Sequence, residues 1–352
     1  MAIYAIWNNK GGVGKSYLTF QLASEYARQH PNKKVLVVDM CPQANSSSMF
    51  LGGMKNGEKH LSDLHSQQPR LTISGYIDDR IRSPYVPTKS GSGYLTQVSE
   101  YNDKVPCNLY LVVGDEKLEL QSSRVSSATN PGPNDAWRIV HLWITDLISD
   151  IKESWDNAEC CIFIDCNPSF SIYTELALTA AERLLIPFSA DGSSKRAVKA
   201  VLSLVYGQVR QPGDTQSDFN LESKRYKMSL PELYMYIGNR LTQMNNSSAS
   251  AFKTVVNEIS DEIYSVWQSG SAPFCIHPFG ATRPTSKKSF KDMFQFEVND
   301  ANTASVVSSA LGIPIGILTD GLKKVVGNTV KVNQSQLDKQ VPNIKMLVQR
   351  IE

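Results

Sequence analysis

Two lysines, Lys10 and Lys15, bracket a run of small residues in Asn8-Asn9-Lys10-Gly11-Gly12-Val13-Gly14-Lys15-Ser16. Glycines at this density let the backbone turn tightly, so that several N–H groups point at one anion. A lysine closing the turn adds a point charge, and a serine hydroxyl beside it is a ligand for a hard divalent cation. Such a set can hold a polyphosphate together with its metal. Further along, Asp39 and Asp165 each end an apolar run, and Cys41 follows the first of them closely. Carboxylates at such points can complete the shell of Mg²⁺.

A loop of this kind works between a strand and a helix. Ala2-Ile3-Tyr4-Ala5-Ile6-Trp7 is apolar and rich in strand formers, and Leu18, Leu22, Ala23 and Tyr26 fall on one helical face. The helix N-terminus then adds its partial positive charge to the anion site. Lys34-Val35-Leu36-Val37-Val38-Asp39 and Cys160-Cys161-Ile162-Phe163-Ile164-Asp165 read as strands buried on both faces. Strands are also expected at 109–113, 183–188 and 233–239, and helices at 136–154, 173–181, 193–209 and 249–268. The stretch 52–106, with Lys89-Ser90-Gly91-Ser92-Gly93 in it, reads as a polar surface elaboration carrying some short helix or hairpin.

Strands alternating with helices imply an α/β fold: a doubly wound, mostly parallel sheet flanked by helices. Ligands of such sheets sit at the carboxyl ends of the strands, where Asp39, Asp165 and Asn239 fall. A single domain is expected over 1–315, with a C-terminal extension over 316–352.

The strict phosphate-loop pattern is missed at its first position, where Asn9 stands. With its extra Lys10, the stretch instead resembles the deviant Walker A loop of the ParA/MinD family of P-loop ATPases, closest to the ParA-type partition ATPases. Residues 35–45 resemble the second family motif, an apolar strand ending Asp-x-Asp-Pro-Gln. Residues 162–169 resemble the Walker B segment, and 109–114 the strand between them. The resemblance covers residues 2–60 and 107–315 and weakens after Arg240.

The resemblance implies ATP and Mg²⁺ as cofactors and an ATP-driven homodimer. Gly11, Gly12, Val13, Gly14 and Tyr17 would surround the phosphates, Tyr17 standing where threonine is common. Ser16 would ligate Mg²⁺ directly, with Asp39 and Asp165 holding it through waters. Lys15 would neutralise the phosphates in cis, and Lys10 would reach across the dimer in the manner of an arginine finger. Asn239 and Arg240 end a strand where the family often contacts adenine, though a simple strand-end turn looks the same.

Cys41 departs from the pattern. It stands at the family's second aspartate, which orients the attacking water, and a thiol supplies no equivalent fixed charge. The implied catalytic set of Lys10, Lys15, Asp39 and Cys41 therefore keeps nucleotide binding and leaves hydrolysis open. Asp191 is a carboxylate that could stand in.

Arg283, Lys287, Lys288 and Lys291 gather late in the chain, followed by Lys323, Lys324 and Lys331. Dimeric family members bind DNA non-specifically through such a surface; a solvated charged face has the same composition. Two readings follow. One is a DNA-partition switch working with a ParB-like partner, favoured by the basic cluster. The other is a weakly hydrolysing, ATP-binding scaffold or regulatory subunit beside an effector, favoured by Cys41. MinD-like membrane attachment would need an amphipathic C-terminal helix, and Ile344-Lys345-Met346-Leu347-Val348-Gln349-Arg350-Ile351-Glu352 is short and weakly of that kind. No stable membrane anchor is expected.

A net charge of +2 over 352 residues means that any basic surface is local. The six cysteines lack metal-type spacing, which suits buried free thiols in a reducing compartment; adjacent Cys160 and Cys161 read as core packing rather than iron–sulfur ligands. No apolar run reaches the length of a spanning helix, and the first strand begins too early for a signal peptide. A cytoplasmic protein is the expectation.

Overall fold

The computed structural model describes residues 2–130, 132–208, 216–241 and 247–352, and within these not the side chains of 240, 241 and 247–252. The strands are β1 (Ile3–Ile6), β2 (Lys34–Asp39), β3 (Leu95–Gln97), β4 (Leu109–Val112), β5 (Cys160–Asp165), β6 (Arg183–Phe188), β7 (Glu232–Leu241) and β8 (Gln295–Asn299). They form one sheet in the order β3-β4-β2-β5-β1-β6-β7-β8. Every neighbour pairs in parallel except β3, which lies antiparallel against β4. Strands β9 (Gly321–Val325) and β10 (Asn328–Val332) form a separate antiparallel hairpin.

Alternation along β5 explains why the run is apolar throughout. Cys160, Ile162 and Ile164 pack on one face of the sheet, Cys161 and Phe163 on the other. A sheet covered on both sides requires such continuous runs, and each fully buried Ile or Phe contributes about 1.5–3 kcal/mol. The helix Lys15–Gln29 covers one face together with the C-terminal helix Gln334–Val348, through Leu18, Leu22, Ile344 and Leu347. The opposite face carries Trp143–Ser154, Ile172–Ala180 and Ser194–Tyr206, through Trp143, Leu176 and Val201.

The structure corrects the sequence reading in several places. The helix expected at 136–154 is two, Ala136–His141 and Trp143–Ser154, joined at Leu142. The stretch 52–106 is more regular than expected. It holds the helices Gly53–Ser66 and Ile73–Arg82 and the edge strand β3, and Leu61, Leu64, Ile73 and Tyr76 reach the core. Helices Leu118–Ala128, Asp218–Arg225, Lys287–Phe294 and Thr303–Leu311 carry no expectation from sequence. The segment 316–352 is tied to the first strand: the Tyr4 hydroxyl accepts from Glu352 N at 2.9 Å. Ile344, Leu347 and Val348 are buried, so the apolar side of the last helix is spent on the core. No helix among the described residues is long and apolar enough to cross a membrane.

Candidate nucleotide-binding site

Strand order brings the chemistry together. β5 lies between β2 and β1, and its Asp165 is the register partner of both Asp39 and Ile6. The loop leaving β1 thus opens beside the two carboxylates, at the carboxyl ends of the strands. Gly12 and Gly14 hold φ of 75° and 78°, a left-handed conformation that side-chain-bearing residues rarely adopt. Gly14 caps the helix that starts at Lys15. Buried Asn239 braces the loop from β7, its Nδ2 donating to Val13 O at 2.9 Å and Gly14 O at 3.3 Å. Its amide nitrogen is therefore spent on the loop backbone, while its buried Oδ1 has no partner among the described residues. The Arg240 side chain lies outside the described residues.

Lys15 is buried, and its ammonium donates to Lys10 O at 2.9 Å and Asn8 O at 3.4 Å. Burial lowers its pKa, and the charge of Asp165 pulls the other way. Lys10 points elsewhere. Its Nζ donates to Asp191 Oδ2, to Ser189 Oγ at 3.2 Å and to Ser194 Oγ at 3.3 Å. Burial opposes the Asp191 charge, yet hydrogen bonds from Lys10, Ser189 and Ser193 hold its carboxyl well below the ordinary range. Asp191 is thus the counter-ion of Lys10.

Asp39 and Asp165 are both fully buried, and burial raises both pKa values. Asp39 Oδ1 accepts from Cys41 N at 3.0 Å; Oδ2 accepts from Ser47 N at 3.0 Å and Ser47 Oγ at 2.7 Å. Neither oxygen of Asp165 has a partner at good geometry, although the Ser16 and Ser46 hydroxyls stand close and moderate its charge. Two buried carboxylates and a serine hydroxyl, one carboxylate bare, fit a hydrated Mg²⁺, which keeps several waters of its own. Among the described residues no cluster of three or more His, Cys, Asp or Glu is placed to hold a metal, so a thiolate-type centre has no ligand set there. Cys160 and Cys161 face opposite sides of the sheet.

A pocket of about 730 Å³ opens over the loop. It is lined by Gly11, Gly12, Gly14, Lys15, Ser16, Tyr17 and Cys41 and closed by Gln43, Ser48, Met54, Glu58 and Val306. Tyr17 lines it as well, while its hydroxyl donates to Gln340 Oε1 at 2.7 Å, pinning the C-terminal helix to the loop helix. The Cys41 thiol is pushed up to about 12, first by burial and then by the charges of Asp39 and Asp165. It is a neutral thiol at any physiological pH.

Sequence reasoning missed Ser47, which bridges Asp39 to Gly114 N, and Gly114 itself. The available signal was a glycine directly behind a buried strand. The late basic residues are partly spent: Lys287 pairs with Asp261, Lys291 Nζ donates to Asn257 Oδ1 at 2.9 Å, and the Arg283 guanidinium lies 4.0 Å over the Trp267 ring. Lys288, Lys324 and Lys331 are exposed.

A mostly parallel sheet with an anion-binding loop behind its first strand defines the class of P-loop nucleotide-binding proteins. Residues 1–211 match the family model described as an AAA domain, and the chain belongs to that family as a ParA/MinD-type P-loop ATPase. It is 28% identical over 228 residues to a replication protein A of Sinorhizobium fredii, covering 64% of this chain and 49% of that one. With the sporulation initiation inhibitor protein Soj of Bacillus subtilis it shares 25% over 203 residues, 58% of this chain and 64% of Soj. The chain spans about half the length of the first of these relatives. Its fold matches the structure of a Cyanothece McdA–ATP complex at a TM-score of 0.58 and 14% identity, covering 100% of this chain and 97% of that one.

Proposed function

We propose that the chain is an ATP-dependent dimerising switch of the partition type, binding ATP with Mg²⁺ between two copies and working with a protein partner on DNA. Lys10 carries this reading. A loop already served by Lys15 needs no second lysine, and Lys10 is held only by side-chain acceptors around Asp191. It can exchange those acceptors for a second copy's phosphates without disturbing the loop backbone. Ser16, Asp39 and Asp165 would hold Mg²⁺, which supplies charge neutralisation at the phosphates. Non-specific DNA contact would fall to Lys288 and to Lys324 and Lys331 on the β9–β10 hairpin, since phosphate contacts ask for exposed cations.

Light scattering of wild type and Lys10→Ala, with and without ATP and Mg²⁺, tests the dimer. Wild type is expected to dimerise with ATP, and the variant to remain monomeric while still binding nucleotide. Equal dimerisation of both would sink the trans role of Lys10. A second reading, a slow or non-hydrolysing scaffold, draws its support from the neutral Cys41 thiol.

A further inference from the structure

The pocket presents a thiol at Cys41, a weak hydrogen-bonding group, so hydrolysis there needs another group to orient an attacking water. Asp39 has both oxygens engaged, Asp165 would belong with the metal, Asp191 does not line the pocket, and Asp115 is paired with Arg70 and Thr72. Among the described residues that line the pocket there remains a single further carboxylate, that of Glu58. We propose that Glu58 orients the attacking water and takes its proton, the role Cys41 cannot fill. The proposal rests on the reading that this site hydrolyses ATP.

The geometry that positions Glu58 is built in. The helix Asn45–Phe50 carries Ser47, which holds Asp39, and next to it Ser48. Ser48 Oγ donates to Glu58 Oε1 at 2.6 Å, leaving Oε2 open. Glu58 lies on Gly53–Ser66, a helix pressed against the first by Gly57: a Cβ there would sit 2.1 Å from Ser48 O. A second close approach fixes the same helix, since a Cβ on Gly53 would meet Ala310 O at 2.4 Å. Met54 stands one turn before Glu58, and both line the pocket. The carboxylate therefore sits on a rigid support, exposed at the edge of the pocket that the phosphate loop lines.

In the step itself the water oxygen bonds to the γ-phosphorus and the bond to the β–γ bridging oxygen breaks. ADP leaves with that electron pair, and Glu58 accepts the proton the water gives up, returning it to the phosphate product. A positioned base of this kind commonly contributes about 10²–10⁴ in rate.

The test uses the full chain with ATP and Mg²⁺, measuring nucleotide binding and turnover separately. Glu58→Gln should lower kcat by about 10²–10⁴ with ATP affinity unchanged. Ser48→Ala should lower it less, and Cys41→Asp should restore turnover in the Glu58→Gln background, which a merely structural role would not allow. Turnover by Glu58→Gln equal to wild type overturns the proposal. So does a wild type that binds ATP but does not turn it over, which leaves the nucleotide site standing and selects the scaffold reading. A wild type that binds no ATP removes both.

Discussion

Asp39 and Asp165 are the same residue type at the same depth, register partners on β2 and β5, and their surroundings are opposite. Every oxygen of Asp39 is satisfied by Cys41 N and Ser47; neither oxygen of Asp165 has a well-aligned donor. A buried, hydrogen-bonded carboxylate helps build the fold, fixing the turn after β2 and the helix behind it. A buried bare one costs stability unless a cation joins it. Asp39 thus shapes the site, and in the proposed reading Asp165 is the carboxylate left over for a metal.

The comparison breaks most sharply by neutralising each member in turn. In Asp39→Asn an amide N–H faces the donors of Cys41 or Ser47, leaving a buried donor unsatisfied. Unfolding stability should fall by about 2–5 kcal/mol. In Asp165→Asn no aligned donor is lost and, above the raised pKa of Asp165, a buried charge disappears, so at pH 8 the nucleotide-free protein should gain about 1–3 kcal/mol while losing its stabilisation by ATP with Mg²⁺. Thermal unfolding with and without ATP and Mg²⁺ reads both effects. Shifts of the same sign would end the distinction.

Gly114 sharpens it at a smaller scale. A Cβ at this position would lie 2.7 Å from Asp39 Cγ and 3.0 Å from the Ala44 Cβ. Gly114→Ala should therefore push Asp39 off Ser47 and cost about 1–3 kcal/mol by overpacking. Much of that cost should vanish in an Asp39→Ala background, which removes the atoms the new Cβ meets. Full additivity in a double-mutant cycle would show that Gly114 acts elsewhere.

What was legible in the sequence follows the same division. The loop and its flanking elements read clearly because glycine spacing and continuous apolar runs are local signals. The strand expected at 183–188 coincides with Arg183–Phe188 for that reason. The split at Leu142 was illegible, since both halves carry apolar residues at helical spacing. The edge strand β8, Gln-Phe-Glu-Val-Asn, is half polar and short, and Pro342 inside Gln334–Val348 hides the last helix, because proline argues against a helix interior. Ser47 and Glu58 were invisible for a different reason. Their roles come from close approaches at Gly57 and Gly114, which only the folded chain brings about.

The most gradual effect expected is the pH dependence of Asp165. Its carboxyl is raised from 3.8 to about 7, first by burial and then by the neighbouring charge of Asp39, with Ser16, Ser46 and Lys15 working against the shift. Between those two values the folded protein keeps a proton that the unfolded chain has given up. Unfolding then releases a proton, so stability is fully present below the unfolded pKa and is lost as pH rises through the folded one. The nucleotide-free protein should lose about 3 kcal/mol from pH 4 to pH 7 on this account, at up to about 1.4 kcal/mol per pH unit, with little further change above pH 8. Asp165→Asn should remove that slope. Mg²⁺ with ATP takes the proton's place, so its stabilising effect should be larger at pH 8 than at pH 5. Melting curves of both proteins across this range decide the matter. A slope that survives in Asp165→Asn would assign the titration to another group, and the bare carboxylate would lose its claim to be the metal's partner.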